Sequence, residues 1–287
     1  YSAIEKECCV GNGRSPTPNQ GTLVMTTPEQ IKFAHTPAGC EVIAGVTLKD
    51  AKRGSKWPAY LDVAQSVTGL ILGLFLFCHM CFTSSIQLGK DVFWNLCQIS
   101  GLAPIFGHEQ AWAHFLFVGV ITLCVIIHAL CALRRFPTSY RQFRDIRAHV
   151  KFVHHTDTSL WFVQFITAIV LTGMVFPHVM GMLTAPSEIE ANLSSVHTYH
   201  MGLIWTFIFL VATELHGMIG LYRLGVKWDV IKGRCHGFRS VMVFVAILMI
   251  VCGSLTAFTF YSNGKTLVEN GQAAERYTPT AVWSINK

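Results

Sequence analysis

The fold is decided by the stretch WTFIFLVATELHGMIGLYRLGVKW, which occupies residues Trp205–Trp228. This run is long enough to cross a bilayer, since a transmembrane helix needs about 20 mainly apolar residues. Glu214 and His216 lie inside the apolar run. Ionisable side chains are costly in hydrocarbon and mark a functional site by default. The stretch therefore indicates a membrane-spanning helix with a buried polar function.

The cations at the end of this stretch share a helix face with the buried histidine. Arg223 and Lys227 follow His216 by seven and eleven positions, and a helix turns by about 100° per residue. One face thus offers an imidazole inside the membrane and two positive charges at its edge. This combination suits a buried metal centre with negatively charged arms, as in haem.

The composition is that of an integral membrane protein. Of the 287 residues, 52% are hydrophobic and only 13% are charged, whereas soluble domains carry about a quarter charged residues. The net charge of +6 is modest, and its distribution does not resemble a nucleic-acid-binding surface. Most cysteines within the apolar runs are interpreted as small hydrophobes. Cys8, Cys9 and Cys40 lie in a polar N-terminal segment without a metal-binding spacing.

Five apolar runs have the length of a membrane span. They occupy residues 60–87, 111–135, 158–183, 199–225 and 237–262. We therefore predict an all-α integral membrane protein whose five transmembrane helices form a bundle. A polar segment, 1–57, precedes this transmembrane domain of residues 58–263, and a tail of residues 264–287 follows it. No internal repeat is apparent.

The lysine and arginine bias predicts the orientation, because positively charged connections stay in the cytoplasm. Six such residues lie within Arg134–Lys151, after the second span, and five lie within Arg223–Arg239, after the fourth. The connection before the fourth span carries Glu188 and Glu190 instead. We expect the N-terminus in the cytoplasm and the C-terminus on the opposite side.

Four of the thirteen histidines lie well inside the spans, and their depths form two pairs. The inner pair is His128 and His216, on spans two and four, roughly 9–10 Å inside the cytoplasmic edge at 1.5 Å per residue. The outer pair is His79 and His178, on spans one and three, near the far side. Two imidazoles at one level are what a six-coordinate haem b requires. The depths therefore predict two stacked bis-histidine haems b.

A transmembrane metal or haem transporter is the main alternative from these residues alone. Such a protein would more often gather acidic, cysteine or methionine ligands at one depth. The run Cys78-His79-Met80-Cys81 contains suitable ligand types, but neighbouring side chains in a helix point to different faces.

Four stretches of the chain resemble a known family. They are LDVAQSVTG (61–69) with His79-Met80 after it, IHALCALRRFPTSYRQF (127–143), HTDTSLW (155–161) and ELHGMIGLYRLGVKW (214–228). Together they closely resemble the di-haem cytochrome b subunit of succinate:quinone oxidoreductases, with the nearest likeness to the quinol:fumarate reductase branch. The likeness covers roughly residues 57–262.

The resemblance implies five transmembrane helices and two haems b on the same ligand pairs. It also implies a set of residues that hold the inner haem, chiefly through its propionates: Gln65, Ser66, Trp161 and Lys227. Arg223 joins this set because it shares a helix face with the inner ligand.

The resemblance also implies carboxylates with proton roles. Glu214 matches a family residue linked to transmembrane proton transfer. Relatives place a glutamate for quinol deprotonation after the first span, but residues 97–103 contain no acid. Glu109, at the entry to the second span, is the predicted replacement, with Asp91 and His114 as alternatives.

The implied function is that of a membrane anchor in a bacterial inner membrane. A flavoprotein subunit and an iron–sulfur subunit would dock on the cytoplasmic face, partly on the basic connection Arg134–Lys151, which also suits anionic lipid. Electrons would pass between menaquinone and the iron–sulfur subunit through the two haems, while fumarate and succinate interconvert on the flavoprotein. Such complexes are expected to pair as dimers. The haem b anchor of a hydrogenase or formate dehydrogenase is the alternative within the same class.

Overall fold

The computed structural model describes residues 56–230 and 235–283, and this part of the chain is helical without strands. Its α-helices are α1 Trp57–Ser84, α2 Lys90–Ser100, α3 Ala103–Phe106, α4 Ala111–Leu133, α5 Tyr140–Val153, α6 Thr156–Thr184, α7 Ala191–Met201, α8 Leu203–Lys227 and α9 Cys235–Glu269. Short 3₁₀ turns occupy Ser85–Leu88 and Pro186–Glu188. The predicted polar segment, including Cys8, Cys9 and Cys40, lies outside the described residues.

Five helices of the described part are long and apolar enough to cross a membrane: α1, α4, α6, α8 and α9. This confirms the five predicted spans. Large apolar side chains on these helices, such as Leu74 on α1 and Phe258 on α9, remain exposed on the bundle surface. In a bilayer such residues face lipid, because hydrocarbon chains are as apolar as leucine.

The fourth span begins later than its hydropathy predicts. The apolar run suggested a start at residue 199, but Gly202 adopts a φ of +87° and separates α7 from α8. Such a backbone angle is readily accessible to glycine and breaks the helical hydrogen-bond ladder. The separate helix α7 therefore ends at Met201, and α8 begins at Leu203.

The fifth span is longer than predicted. Helix α9 continues to Glu269, beyond the expected domain boundary at 263. At Gly264 it lies so close to α7 that an added Cβ would collide with the main chain of Ser195. Close main-chain approach of this kind is typical of glycine at helix interfaces. The extra turns of α9 thus have a packing partner outside the bundle.

Helices α1 and α8 pack closely because each offers a glycine to a leucine of the other. A Cβ on Gly73 would lie 2.7 Å from Leu221, and a Cβ on Gly217 would lie 2.9 Å from Leu76. One turn before Gly73, Gly69 faces His128 of α4 instead. These glycines bring α1 close to both helices that carry the inner histidines.

A polar cap covers the end of the bundle that carries α2 and α7, which we call the outer end. The tail after α9 folds back onto this cap. Asp91 of α2 accepts hydrogen bonds from the Tyr277 hydroxyl (2.9 Å) and from Thr280. Asn95 binds the main chain of Ala281 and Trp283, each at 2.9 Å. The tail is thus part of the outer end rather than a free extension.

The buried carboxylate of Glu190 joins this cap to α7. It accepts hydrogen bonds from the main-chain N–H groups of Asn192 (2.9 Å), Leu193 (2.6 Å) and Tyr277 (3.2 Å). Two of these donors are orphan groups of the α7 N-terminus, which need a partner outside the helix. One carboxylate therefore caps a helix and holds the tail.

We expect Asp91→Asn to release the tail. Hydrogen bonds from Thr280, and then from Tyr277 and Ala281, outweigh desolvation and hold the pKa of Asp91 below its ordinary value of 3.8. A carboxyl with a lowered folded-state pKa stabilises the fold above its unfolded pKa, and this contribution is lost as the pH falls through the folded value. Hydrogen exchange at residues 277–283 should therefore rise in the variant, and in the wild type only at pH below about 3.8.

The matched control is Asp229→Asn, at a residue with a φ of +52° where asparagine fits equally well. Unchanged exchange at 277–283 in Asp91→Asn would contradict the assignment of Asp91 as the anchor of the tail.

Candidate metal centres

The inner histidines face each other across the bundle. His128 projects from α4 and His216 from α8, and their ring centroids are 6.5 Å apart with an interplanar angle of 87°. The two ring planes are therefore nearly perpendicular, and the distance between the rings leaves room for one ion between them.

Hydrogen bonds fix the tautomer of both inner rings. Nδ1 of His128 lies 3.2 Å from the main-chain oxygen of Gln65, and Nδ1 of His216 lies 3.1 Å from that of Gln164. A carbonyl oxygen only accepts, so Nδ1 carries the proton in each ring. Nε2 is then unprotonated and free to bind a metal, as is usual for ligand histidines.

A threonine hydroxyl supports each of these contacts. The Oγ1 atoms of Thr68 and Thr167 lie 3.3 Å from Nδ1 of His128 and His216, respectively. Each hydroxyl uses its own hydrogen on a carbonyl of its own helix, so its lone pairs remain for the imidazole. Each inner ring is therefore held by two acceptors from a neighbouring helix.

These supporting residues reveal an internal repeat that the sequence analysis did not identify. Helix α1 carries Gln65-x-x-Thr68 and α6 carries Gln164-x-x-Thr167. An outer histidine follows each glutamine by the same interval, since 79 − 65 and 178 − 164 both equal 14. Fourteen residues rise about 21 Å along a helix. The repeat is therefore visible in the sequence itself, as two Gln-x-x-Thr motifs that are each followed by a histidine at the same interval.

The outer histidines form a second pair of similar geometry. His79 of α1 and His178 of α6 have ring centroids 6.3 Å apart and an interplanar angle of 74°. Phe75 stacks on His79 at 5.3 Å, and Phe209 packs against His178 at 5.2 Å. Aromatic side chains thus flank both rings of this pair.

Both separations fit an iron ion between two axial imidazoles. A metal–nitrogen bond of about 2 Å on each side, plus about 1.2 Å from each nitrogen to its ring centre, would place the centroids roughly 6.4 Å apart. The observed values are 6.5 Å and 6.3 Å. Within the described residues, no group of three or more His, Cys, Asp or Glu side chains could hold a metal. The separation within each pair would accommodate a porphyrin iron with one histidine on either side.

Positive charge surrounds the inner end, the end of the bundle opposite the cap. Lys227 donates to Ser66 Oγ at 3.0 Å, and Arg223 donates to the side-chain oxygen of Gln164. Arg134 and Arg135 both pair with Asp62. The cations of this group outnumber its carboxylate, so an added anion such as a haem propionate would be favourable here.

Two other residues predicted for this rim have different contacts. The ring of Trp161 stacks on Phe165 at 5.8 Å with an interplanar angle of 11°. Gln65 binds His128 through its main chain, a role separate from the predicted side-chain contact with a propionate.

Comparison with known proteins identifies the family of this chain. Residues 140–256 match the family of the succinate dehydrogenase/fumarate reductase transmembrane subunit. The fumarate reductase cytochrome b subunit of Helicobacter pylori is 37% identical over 217 residues, which cover 74% of this chain and 84% of that protein. The protein of the same name from Wolinella succinogenes is 35% identical over 234 residues, covering 78% and 89%. The chain belongs to the fumarate reductase cytochrome b subunit family.

Glu214 lies deep in this cytochrome b subunit, on the same helix as an inner histidine. Its side chain is fully buried, with 0% exposure. Neither carboxylate oxygen has a hydrogen-bond partner among the described residues. An unpartnered buried carboxyl is costly, and such groups persist mainly where they have a function.

The outer end contains the acids and the histidine considered for the quinone. Glu109 accepts a hydrogen bond from Gln98 (2.9 Å) and lies 3.9 Å from Arg276 of the tail. His114 is its close neighbour, because both side chains flank Gly101. Asp91 instead binds the tail. Of the three alternatives, Glu109 and His114 are thus brought together and Asp91 has a structural role.

Proposed function

We propose that this chain is the membrane anchor and electron-transfer subunit of a quinol:fumarate reductase, with two bis-histidine haems b between quinone and iron–sulfur subunit. Family membership supports the anchor function. The observation that carries the finer proposal is the pair of centroid separations, 6.5 Å and 6.3 Å, on four different helices. When bound, each haem supplies a one-electron redox centre.

The protein residues orient the haems and neutralise their charge. Hydrogen bonds at Nδ1 hold the inner imidazoles in place and raise their basicity. Lys227, Ser66 and Arg223 form a donor rim for the inner propionates, together with Gln65 and Trp161.

The quinone chemistry belongs at the outer end in this proposal. Glu109 is the candidate carboxylate that accepts a proton from menaquinol. The conversion of fumarate takes place on the flavoprotein partner. In this proposal the enzyme is the whole complex rather than this chain alone.

The basic inner end suits docking of the iron–sulfur and flavoprotein subunits. Helix α5 begins at the Ser139 N-cap, whose hydroxyl accepts from Gln142 N, and carries four cations within Arg141–Lys151. Positive connections favour the cytoplasmic side of a bacterial inner membrane. The N-terminus would then be cytoplasmic and the capped outer end would lie on the opposite side, with two such complexes paired as a dimer.

The direct test is a redox titration of the isolated complex. We expect two low-spin haem b components, with His216→Ala removing only the inner one and His178→Ala only the outer one. A flavoprotein should copurify, rather than the nickel or molybdenum subunit of a hydrogenase or formate dehydrogenase. A chain that binds no haem would refute the proposal.

Gly69→Val should displace the inner haem selectively. A Cβ at Gly69 would lie only 3.0 Å from Cε1 of His128, so a branched side chain would push the ligand ring away. Gly119→Val is the matched control, because nothing lies within 4 Å of a Cβ there. Haem spectra of the two purified variants provide the measurement, and equal inner-haem content would contradict the assignment.

Glu214→Gln tests a proton-relay role for this buried acid. We expect both haem spectra to persist, because Gln has nearly the same shape, while quinol-driven fumarate reduction falls by about tenfold or more. Turnover at the wild-type rate would exclude the relay and leave Glu214 as a packing residue.

A further inference from the structure

His114 is a buried imidazole whose two nitrogens both have partners at the outer end. Its exposure is 6%. Nε2 lies 2.9 Å from the Ser100 hydroxyl of α2, and Nδ1 lies 3.3 Å from the main-chain oxygen of Pro186. The Ser100 hydroxyl also lies 2.8 Å from the main-chain oxygen of Cys97. One hydroxyl therefore connects the imidazole to a carbonyl.

These contacts permit two protonation states without loss of a hydrogen-bond partner. The Pro186 oxygen only accepts, so Nδ1 of His114 carries a proton. In neutral His114, the Ser100 hydroxyl donates to Nε2. In protonated His114, Nε2–H donates to Ser100, whose hydroxyl turns to the Cys97 oxygen. The site therefore takes up one proton by rotating one hydroxyl group.

Access to this proton acceptor runs through the serine. Ser100 is exposed, whereas His114 is buried beneath it. Burial also raises the pKa of the Cys97 thiol, helped by the charges of Glu109 and Glu190, so that thiol stays protonated and does not compete.

Glu109 lies beside this pair. A Cβ on Gly101 would lie 2.9 Å from Cβ of Glu109 and 3.2 Å from Cε1 of His114. The charged group facing Glu109 from the tail is Arg276, at 3.9 Å, and Gln98 of α2 donates to it. A carboxylate and a hydroxyl-linked imidazole thus lie side by side at the proposed quinone end.

We propose that Ser100 and His114 receive one of the two protons of menaquinol, while Glu109 receives the other. This rests on the proposed function. One quinol O–H transfers its proton to the Glu109 carboxylate. The other transfers its proton to Ser100 Oγ, whose own proton moves to His114 Nε2. The two electrons of menaquinol would leave one at a time to the outer haem that His79 and His178 would hold, which converts the quinol to quinone.

The experiment compares Ser100→Ala with Ser100→Thr in the intact complex. The alanine variant removes the hydroxyl, and the threonine variant keeps it. We expect quinol-driven fumarate reduction to fall by about tenfold to a hundredfold in Ser100→Ala, and to recover in Ser100→Thr. His114→Gln should show the same loss of quinol-driven activity as Ser100→Ala, because an amide preserves both hydrogen bonds but takes up no proton at the assay pH. The solvent deuterium isotope effect on turnover should increase only in the two impaired variants.

Reduction of fumarate by reduced viologen, a soluble donor to the partner subunits, should be the same in all complexes. Equal quinol-driven rates for Ser100→Ala, Ser100→Thr and wild type would overturn this proton route while leaving the proposed function intact. Failure of the wild-type complex to oxidise menaquinol would instead refute the proposed function.

Discussion

The Nδ1–H groups of His128 and His216 must be satisfied inside a membrane, and the geometry of the bundle depends on how this is done. A polar group without a hydrogen-bond partner costs several kcal/mol in hydrocarbon. Each imidazole finds its acceptor on the main chain of a neighbouring helix, at Gln65 and at Gln164. These bonds determine where α4 lies on α1 and where α8 lies on α6.

This hydrogen bond from an imidazole to a main-chain oxygen occurs twice, because the first four spans form two similar pairs of helices. In α1 and α6, one end supplies the acceptors for an inner imidazole and the other end supplies an outer histidine. An axial shift of either helix would therefore displace both histidine pairs together. Each glutamine lies about 21 Å along the helix axis from the outer histidine of the same helix. Glycines such as Gly73 allow the helices to approach closely enough for both contacts.

The sequence predicted the features that depend on length and hydropathy. The five spans and the pairing of histidines by depth follow from a rise of about 1.5 Å per residue, and both appear in the structure. It could not predict the break at Gly202, because hydropathy does not distinguish one long helix from two short ones. The role of the threonines as hydrogen-bond acceptors was not predictable, because a single threonine in an apolar helix usually bonds to the backbone of its own helix.

The contacts of the outer cap could not be predicted from the sequence either, for a different reason. Tyr277 and Thr280 bind Asp91, and Trp283 binds Asn95, at sequence separations of 186 to 189 residues. No local pattern predicts such contacts. The ion pair between Arg276 and Glu109 is likewise visible only in three dimensions.

The chain order of the histidines has a consequence for biogenesis. The outer pair joins α1 to α6, whereas the inner pair joins α4 to α8. During synthesis from the N-terminus, the outer ligands are both present once the third span has been inserted. The inner ligands must wait for the fourth. Under the proposed assignment, the ligand pair of the outer haem is therefore complete one span earlier than the ligand pair of the inner haem.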